Sequence, residues 1–154
     1  MDDFIIANNT IYTALGNSNK VCVSLGGGYT GNKVTNSYVV NNLCYNADNN
    51  DIPGTGGSIV EKNNYEGTAN ISFTNTGAYP TGDFHLLSGS SNAIDKGVSP
   101  APSYLTSFFT TDRDGNVRPQ GAAWDIGAYE YLSGGTQPPP DTTPPVAPTG
   151  VSVH

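Results

Sequence analysis

Asn8-Asn9-Thr10-Ile11-Tyr12 recurs as Asn41-Asn42-Leu43-Cys44-Tyr45 and, shortened, as Asn63-Asn64-Tyr65. The steps are 33 and 22 residues. A step near 22 falls within the roughly 20–45 residues of one solenoid repeat. The longer step reads as one repeat with an inserted loop, which Leu25-Gly26-Gly27-Gly28-Tyr29-Thr30-Gly31 would supply. Paired Asn at a recurring corner has a physical reason. Asn tolerates left-handed backbone angles and its amide bonds to neighbouring backbone groups. Stacked Asn side chains also form ladders along the direction of stacking.

Around these corners lie short apolar runs rich in β-branched residues, such as Phe4-Ile5-Ile6, Val21-Cys22-Val23, Tyr38-Val39-Val40 and Ser58-Ile59-Val60. Each is bounded by turn formers, which marks strands. No window carries the i, i+3, i+4, i+7 stripe of an amphipathic helix. The composition agrees: of 154 residues, 19 are Gly, 17 Asn, 16 Thr, 13 Ser and 11 Pro. Gly and Asn are poor helix formers, which argues against a helical bundle. Only 12% of residues are charged, too few for a disordered acidic tail. Six Lys and Arg against a net charge of −7 exclude a basic face for nucleic acid. No apolar run approaches the ~18 residues of a membrane span. Met1-Asp2-Asp3 does not begin a signal peptide.

The chain divides into three parts: residues 1–76 with the repeat, residues 77–131 without it, and residues 132–154. In the second part Pro80, Pro100, Pro102 and Pro119 punctuate the chain and charges cluster. Phe84, Leu86 and Leu87 suggest a strand. Residues 91–97 suggest one helical turn ended by Gly97, and Trp124 to Tyr131 suggests a last strand. The third part is a Pro-rich, extended linker through Pro138-Pro139-Pro140 and Pro144-Pro145. Cys22 and Cys44 are expected to be two buried thiols, with one disulfide as the alternative. In the repeat register Cys44 aligns with the inward Ile11, whereas Cys22 falls on a different wall.

Three blocks in the second part follow one another: Phe84-His85-Leu86-Leu87-Ser88-Gly89-Ser90-Ser91-Asn92-Ala93-Ile94-Asp95-Lys96-Gly97, Asp112-Arg113-Asp114-Gly115-Asn116-Val117-Arg118-Pro119, and Trp124-Asp125-Ile126-Gly127-Ala128-Tyr129-Glu130. Together they resemble the C-terminal end of secreted right-handed parallel β-helix proteins of the pectate-lyase-like, choice-of-anchor type. Pro144 to Val153 is similar to the opening of a fibronectin type III domain. The resemblance implies an all-β fold: terminal coils of a right-handed parallel β-helix over 1–76, a C-terminal cap over 77–131, and a linker into the first strand of a truncated fibronectin-like module. It also implies further coils upstream of Met1 as partners, because some three coils are fewer than such proteins have. Within the cap, Asp95, Arg118, Asp125 and Glu130 are the structural candidates. Asp95, Arg118 and Asp125 are expected to pair, with Arg118 as a bidentate donor, or else to stand as separate surface charges.

The resemblance implies secretion or display at a bacterial-type cell surface and a parent that binds or degrades polysaccharide, with a uronate lyase as one form. A lyase needs a cation and a base on an outer face of its coils. Lys20, Lys33 and Lys62 do not recur as such a constellation, and His85 is read as a structural or surface histidine with no partner acid or nucleophile assigned to it. This segment is therefore expected to be non-catalytic, and the alternative for the whole is a scaffold or stalk in a surface adhesin. Tyr12, Tyr45 and Tyr65 share one repeat position. They read either as a carbohydrate-binding row or as a stacked ladder on one wall. Calcium is the candidate cofactor, with oxygen ligands at Asp48 and Asp51 or at Asp112 and Asp114. A hydrated loop at the first pair and an Asp-stabilised turn at the second are the alternatives.

Overall fold

The computed structural model describes residues 4–13, 21–24, 36–47, 49–51, 59–77, 81–99 and 107–134, and over these the chain is all-β. Eight short strands come first: β1 (Ile5–Ala7), β2 (Thr10–Tyr12), β3 (Val21–Ser24), β4 (Ser37–Val40), β5 (Leu43–Tyr45), β6 (Asn49–Asp51), β7 (Ile59–Lys62) and β8 (Tyr65–Gly67). Successive strands go to different sheets. They pair in parallel in the orders β1-β4-β7, β2-β5-β8 and β3-β6. Ile5 lies beside Tyr38 and Tyr38 beside Val60; Thr10 lies beside Leu43 and Leu43 beside Tyr65. The register offsets are thus the 33 and 22 residues of the sequence repeat.

Each Asn pair occupies the corner between the first and second sheets, and its two members do different jobs. The first Asn takes the left-handed backbone conformation, with φ of 55° at Asn8, 56° at Asn41 and 51° at Asn63. The second builds a ladder. Asn9 donates from Nδ2 to Asn42 Oδ1 and Asn42 from Nδ2 to Asn64 Oδ1, both at 2.9 Å. The backbone N–H of Asn9 and of Asn42 also donates to the Oδ1 of the next Asn. Asn42 and Asn64 further donate to Ile6 O and Val39 O. The corner of each turn is therefore hydrogen-bonded to the next by side chains as well as by backbone.

Alternation along β5 sends Leu43 and Tyr45 to one face of the middle sheet and Cys44 to the other. Cys44 forms a disulfide with Cys22 of β3, with Cα atoms 5.6 Å apart. This corrects the expectation of two separate thiols. The cysteines do lie on different sheets, but the two sheets face each other, so inward positions on them meet. The opposite face of the middle sheet carries Tyr12, Leu43, Tyr45 and Tyr65, and it is covered by the C-terminal part of the chain. Leu43 forms one buried cluster with Ile71, Phe73, Leu86, Ala93 and Ile126.

That C-terminal part begins with an antiparallel pair, β9 (Phe73–Asn75) and β10 (Asp83–Leu86), so the expected division at 76–77 falls inside a hairpin. The segment then runs along the Asn corners. The amide of Asn41 pairs in both directions with Val98, accepting its N–H at 3.0 Å and donating to its carbonyl at 2.6 Å. Asn63 donates to Lys96 O, Gly127 N–H to Asn41 O, and Ala128 N–H to Thr10 Oγ1. The contacts thus touch all three Asn corners, so the segment flanks the stack and straps its turns together. The expectation was a plug over its end. The reason lies in the aromatic row, which is the large apolar surface that needs cover.

Two local expectations also change. Trp124 to Tyr131 forms no strand. Its backbone N–H groups go singly to Glu130 Oε1, Ala93 O, Asn41 O, Thr10 Oγ1 and Asp125 Oδ2, so no ladder develops. Gly127 is required there: its φ is 110°, and a Cβ would come within 2.7 Å of Thr10 Oγ1. Residues 91–95 form turns, not a helix, and the left-handed residue is Asp95 (φ 56°) in place of Gly97. The strand expected at Phe84 is β10. The inserted loop at 25–31, the Pro-rich run from 138 onward and the fibronectin-like segment lie outside the described residues.

The ladder makes a graded prediction. Asn42→Ala removes partners from both neighbours and should cost roughly 3 kcal/mol in urea unfolding, because it leaves buried donors unmet. Asn9→Ala, at the exposed end of the ladder, should cost about 1 kcal/mol. Equal losses would refute the ladder as a stabilising device. The disulfide makes a second prediction. It links residues 22 apart, so the Cys22→Ser, Cys44→Ser double variant should lose about 3 kcal/mol, read as a lower urea midpoint than that of the oxidised protein.

Candidate functional site

The charged residues of the strap converge on a buried network. Arg118 forms an ion pair with Glu130 at 2.8 Å, and their side chains are 1% and 0% exposed. The same guanidinium donates to the carbonyls of Asp125 (3.3 Å) and Gly127 (2.9 Å), and Trp124 lies 5.8 Å from its Cζ. Burial opposes the charge of Arg118, while Glu130, Asp112 and Asp125 favour it. Glu130 also accepts the N–H groups of Asp125 and Gln120. The expected bidentate pairing of Arg118 with Asp95 and Asp125 does not form: Nη1 meets the Glu130 carboxylate and the Asp125 carbonyl and Nη2 meets the Gly127 carbonyl, because the strap's backbone occupies the Asp95 and Asp125 carboxylates. Asp125 and Asp95 are held by backbone instead. Asp125 accepts from Asp95 N–H and Tyr131 N–H, and Asp95 accepts from Ala123 N–H. With no cation bonded to its carboxylate, Asp125 is dominated by burial, which pushes its pKa up to about 6.

Asp112 is the hub of a tight turn. Its Oδ1 accepts from Asp114 N–H and Asn116 N–H, and its Oδ2 from Asn116 Nδ2 and Glu130 N–H. Both oxygens are occupied by the chain's own donors, which is the Asp-stabilised turn of the sequence reading. Asp114 turns away from it to His85.

His85 is where the sequence reading missed most. Its Nδ1 meets Asp83 and its Nε2 meets Asp114, and the side chain is buried. Asp83 sits two residues earlier on β10, so alternation puts both side chains on one face; that was the signal available. Asp114 arrives from 29 residues away. Each ring nitrogen thus faces a carboxylate oxygen, an arrangement that favours the doubly protonated ring. Burial opposes this, but the bonds to Asp114 and Asp83 outweigh it and raise the pKa above 6.5. Tyr129 packs 4.0 Å from the ring, and Arg113 lies over the other part of that phenol, 6.0 Å from its centroid. Burial also raises the Tyr129 pKa.

The tyrosine row is a packed element. Tyr12 and Tyr45 stack at 5.1 Å with 14° between planes, and Phe73 and Phe84 pack on them edge-on or tilted. Contrary to the expectation from the sequence, Tyr65 does not share their repeat position: it lies beside Leu43, and Gly67 lies beside Tyr45, because the third repeat is shortened after its Asn pair. It still packs on the same core and donates its hydroxyl to Ala69 O. Lys62 is exposed on β7. Asp48 lies outside the described residues, as does the side chain of Asp51. Among the described residues, no group of three or more His, Cys, Asp and Glu is arranged to hold a metal ion, and no helix is long and apolar enough to cross a membrane. No family model, curated protein or solved structure matches the chain. What the network can do chemically is therefore read from geometry alone. Among the described residues its buried side-chain atoms other than Arg118 Nε are hydrogen-bonded, which suits holding the strap to the stack.

The two shifted groups define a pH response. Between pH 3.8 and about 6 the folded chain holds a proton on Asp125 that the unfolded chain has released, so stability falls as pH rises through that window. His85 contributes stability that is complete below pH 6.5 and is lost as pH rises through its raised folded value. The melting temperature should therefore decline in two stages. His85→Gln should abolish the upper stage and spare the lower one. A melting temperature that still falls above pH 6.5 in that variant would remove His85 as the cause.

Proposed function

We propose that this chain is an end-strapped section of a right-handed parallel β-helix, belonging to an extracellular protein that binds or degrades polysaccharide, and that this section binds and does not cleave. The observation that carries the reading is the parallel return of β4 and β7 to the sheet of β1, and of β5 and β8 to the sheet of β2, at the 33- and 22-residue steps of the Asn pairs. Parallel returns of this kind are right-handed as a rule. The motif residues of the family resemblance support it too, since Asp95, Arg118, Asp125 and Glu130 all serve to hold the strap. The Cys22–Cys44 disulfide supports an oxidising, extracytoplasmic setting. The non-catalytic reading rests on the acids of the strap being occupied by structural partners.

The stalk reading is favoured by the same saturation, which suits a rigid scaffold. Calorimetric titration with acidic and neutral oligosaccharides separates the two, with a parallel assay for unsaturated lyase products. The expected result is binding of a uronate oligosaccharide without product formation. Absence of binding to every glycan would leave the stalk; product formation would overturn the non-catalytic assignment.

A further inference from the structure

Asn70-Ile71-Ser72 is a complete Asn-x-Ser/Thr triplet, the acceptor sequence for N-linked glycosylation. A second triplet, Asn8-Asn9-Thr10, lies at the first corner. Such triplets arise readily in a chain rich in Asn, Thr and Ser, so the fold has to decide between them. Transfer to a folded chain needs an Asn amide open to solvent on a surface turn and a free hydroxyl two residues later. The first triplet fails this. Asn8 is half-buried, its Oδ1 accepts from Asn41 Nδ2, and Thr10 Oγ1 accepts from Ala128 N–H. The corner and the strap have taken its polar groups.

The second triplet meets both conditions. Asn70 is exposed in the turn that leaves β8, and its side chain makes no hydrogen bond among the described residues. Other left-handed Asn differ: Asn41, Asn46 and Asn63 each spend the amide on another segment. The φ of 51° at Asn70 accounts for a left-handed residue, which Gly would serve as well, and leaves the amide unexplained. Ser72 is also exposed. Its N–H and C=O pair with Ser90 Oγ, while its own Oγ bonds to nothing among the described residues. Between them Ile71 is buried in the core cluster, and Asn92 pins the turn through Asn70 O and Ala69 O. A bulky group on Asn70 Nδ2 therefore displaces no contact. We propose that Asn70 is an N-glycosylation site, receiving an oligosaccharide from a polyisoprenyl pyrophosphate donor on a membrane-bound transferase. Asn70 Nδ2 attacks the anomeric carbon of the first sugar. The C–N bond forms as the bond from that carbon to the pyrophosphate oxygen breaks. Lipid pyrophosphate leaves with the electron pair, and the amide proton passes to a base of the transferase. The proposal rests on the extracytoplasmic reading that the disulfide supports.

The test incubates the whole folded, oxidised chain with a purified transferase that accepts Asn-x-Ser/Thr and with its lipid-linked donor. Short peptides spanning each triplet serve as controls for the enzyme, and peptide mass mapping locates the glycan. Both peptides should be modified, whereas the folded chain should carry the glycan on Asn70 and none on Asn8. Asn70→Gln and Ser72→Ala should each abolish transfer to this turn, and Ser72→Thr should retain it. These positions are exposed, so an unchanged urea midpoint certifies that the variants fold. A folded chain left bare at Asn70 while its peptide reacts would overturn the site. Equal modification of Asn8 and Asn70 in the folded chain would overturn the selection by the fold. The extracytoplasmic reading is checked separately, by refolding the reduced chain in an oxidising glutathione buffer. Failure of the Cys22–Cys44 bond to form there would overturn that reading, whatever the outcome at Asn70.

Discussion

The structure depends on one corner residue pair. An L-residue in the left-handed region is strained unless its side chain is small and polar enough to bond locally. Asn8, Asn41 and Asn63 meet that condition, and each turns the chain from the first sheet to the second. The residue that follows then faces its counterparts in neighbouring turns, where an amide both donates and accepts. A Ser could turn but could not run the ladder with two donors and a carbonyl. An Asp could accept but would stack like charges. Asn at both positions satisfies the backbone at the corner and the side chains along the stack together.

The left-handed Asn also decides where the strap lies. Because Asn41 points its amide away from the ladder, it offers a donor and an acceptor that mimic a strand edge, and Val98 takes both. Once 96–98 is fixed there, the segment must cover the aromatic row, and a run of buried backbone follows with no sheet partner. Each of its N–H groups then needs its own acceptor, which is why Glu130, Asp125, Asp112 and Asp95 are spent on backbone donors. Burying those carboxylates is costly, and Arg118 offsets the cost with an ion pair and two carbonyl contacts. Removing Arg118 alone would strand Glu130, a loss of about 3–5 kcal/mol by the behaviour of buried pairs.

The parallel stack was legible because the Asn corner is local chemistry repeated at a fixed step. The repeat predicted both offsets and the left-handed backbone without any knowledge of packing. The disulfide was misread for a geometric reason. Aligning Cys44 with Ile11 correctly separated the two sheets, but a sequence register does not say which sheets face each other. Trp124 to Tyr131 looked like a strand because its apolar and small residues alternate. Alternation reports burial on one face and is silent on whether the backbone finds a neighbouring strand. For His85, Asp83 was available from alternation, while Asp114 depends on how the 112–116 turn docks, which only the three-dimensional fold supplies.

The same accounting of partners bears on function. The buried acids of the strap are held by backbone donors and by Arg118, and its histidine lies between two carboxylates, so these charges are committed to holding the strap against the stack.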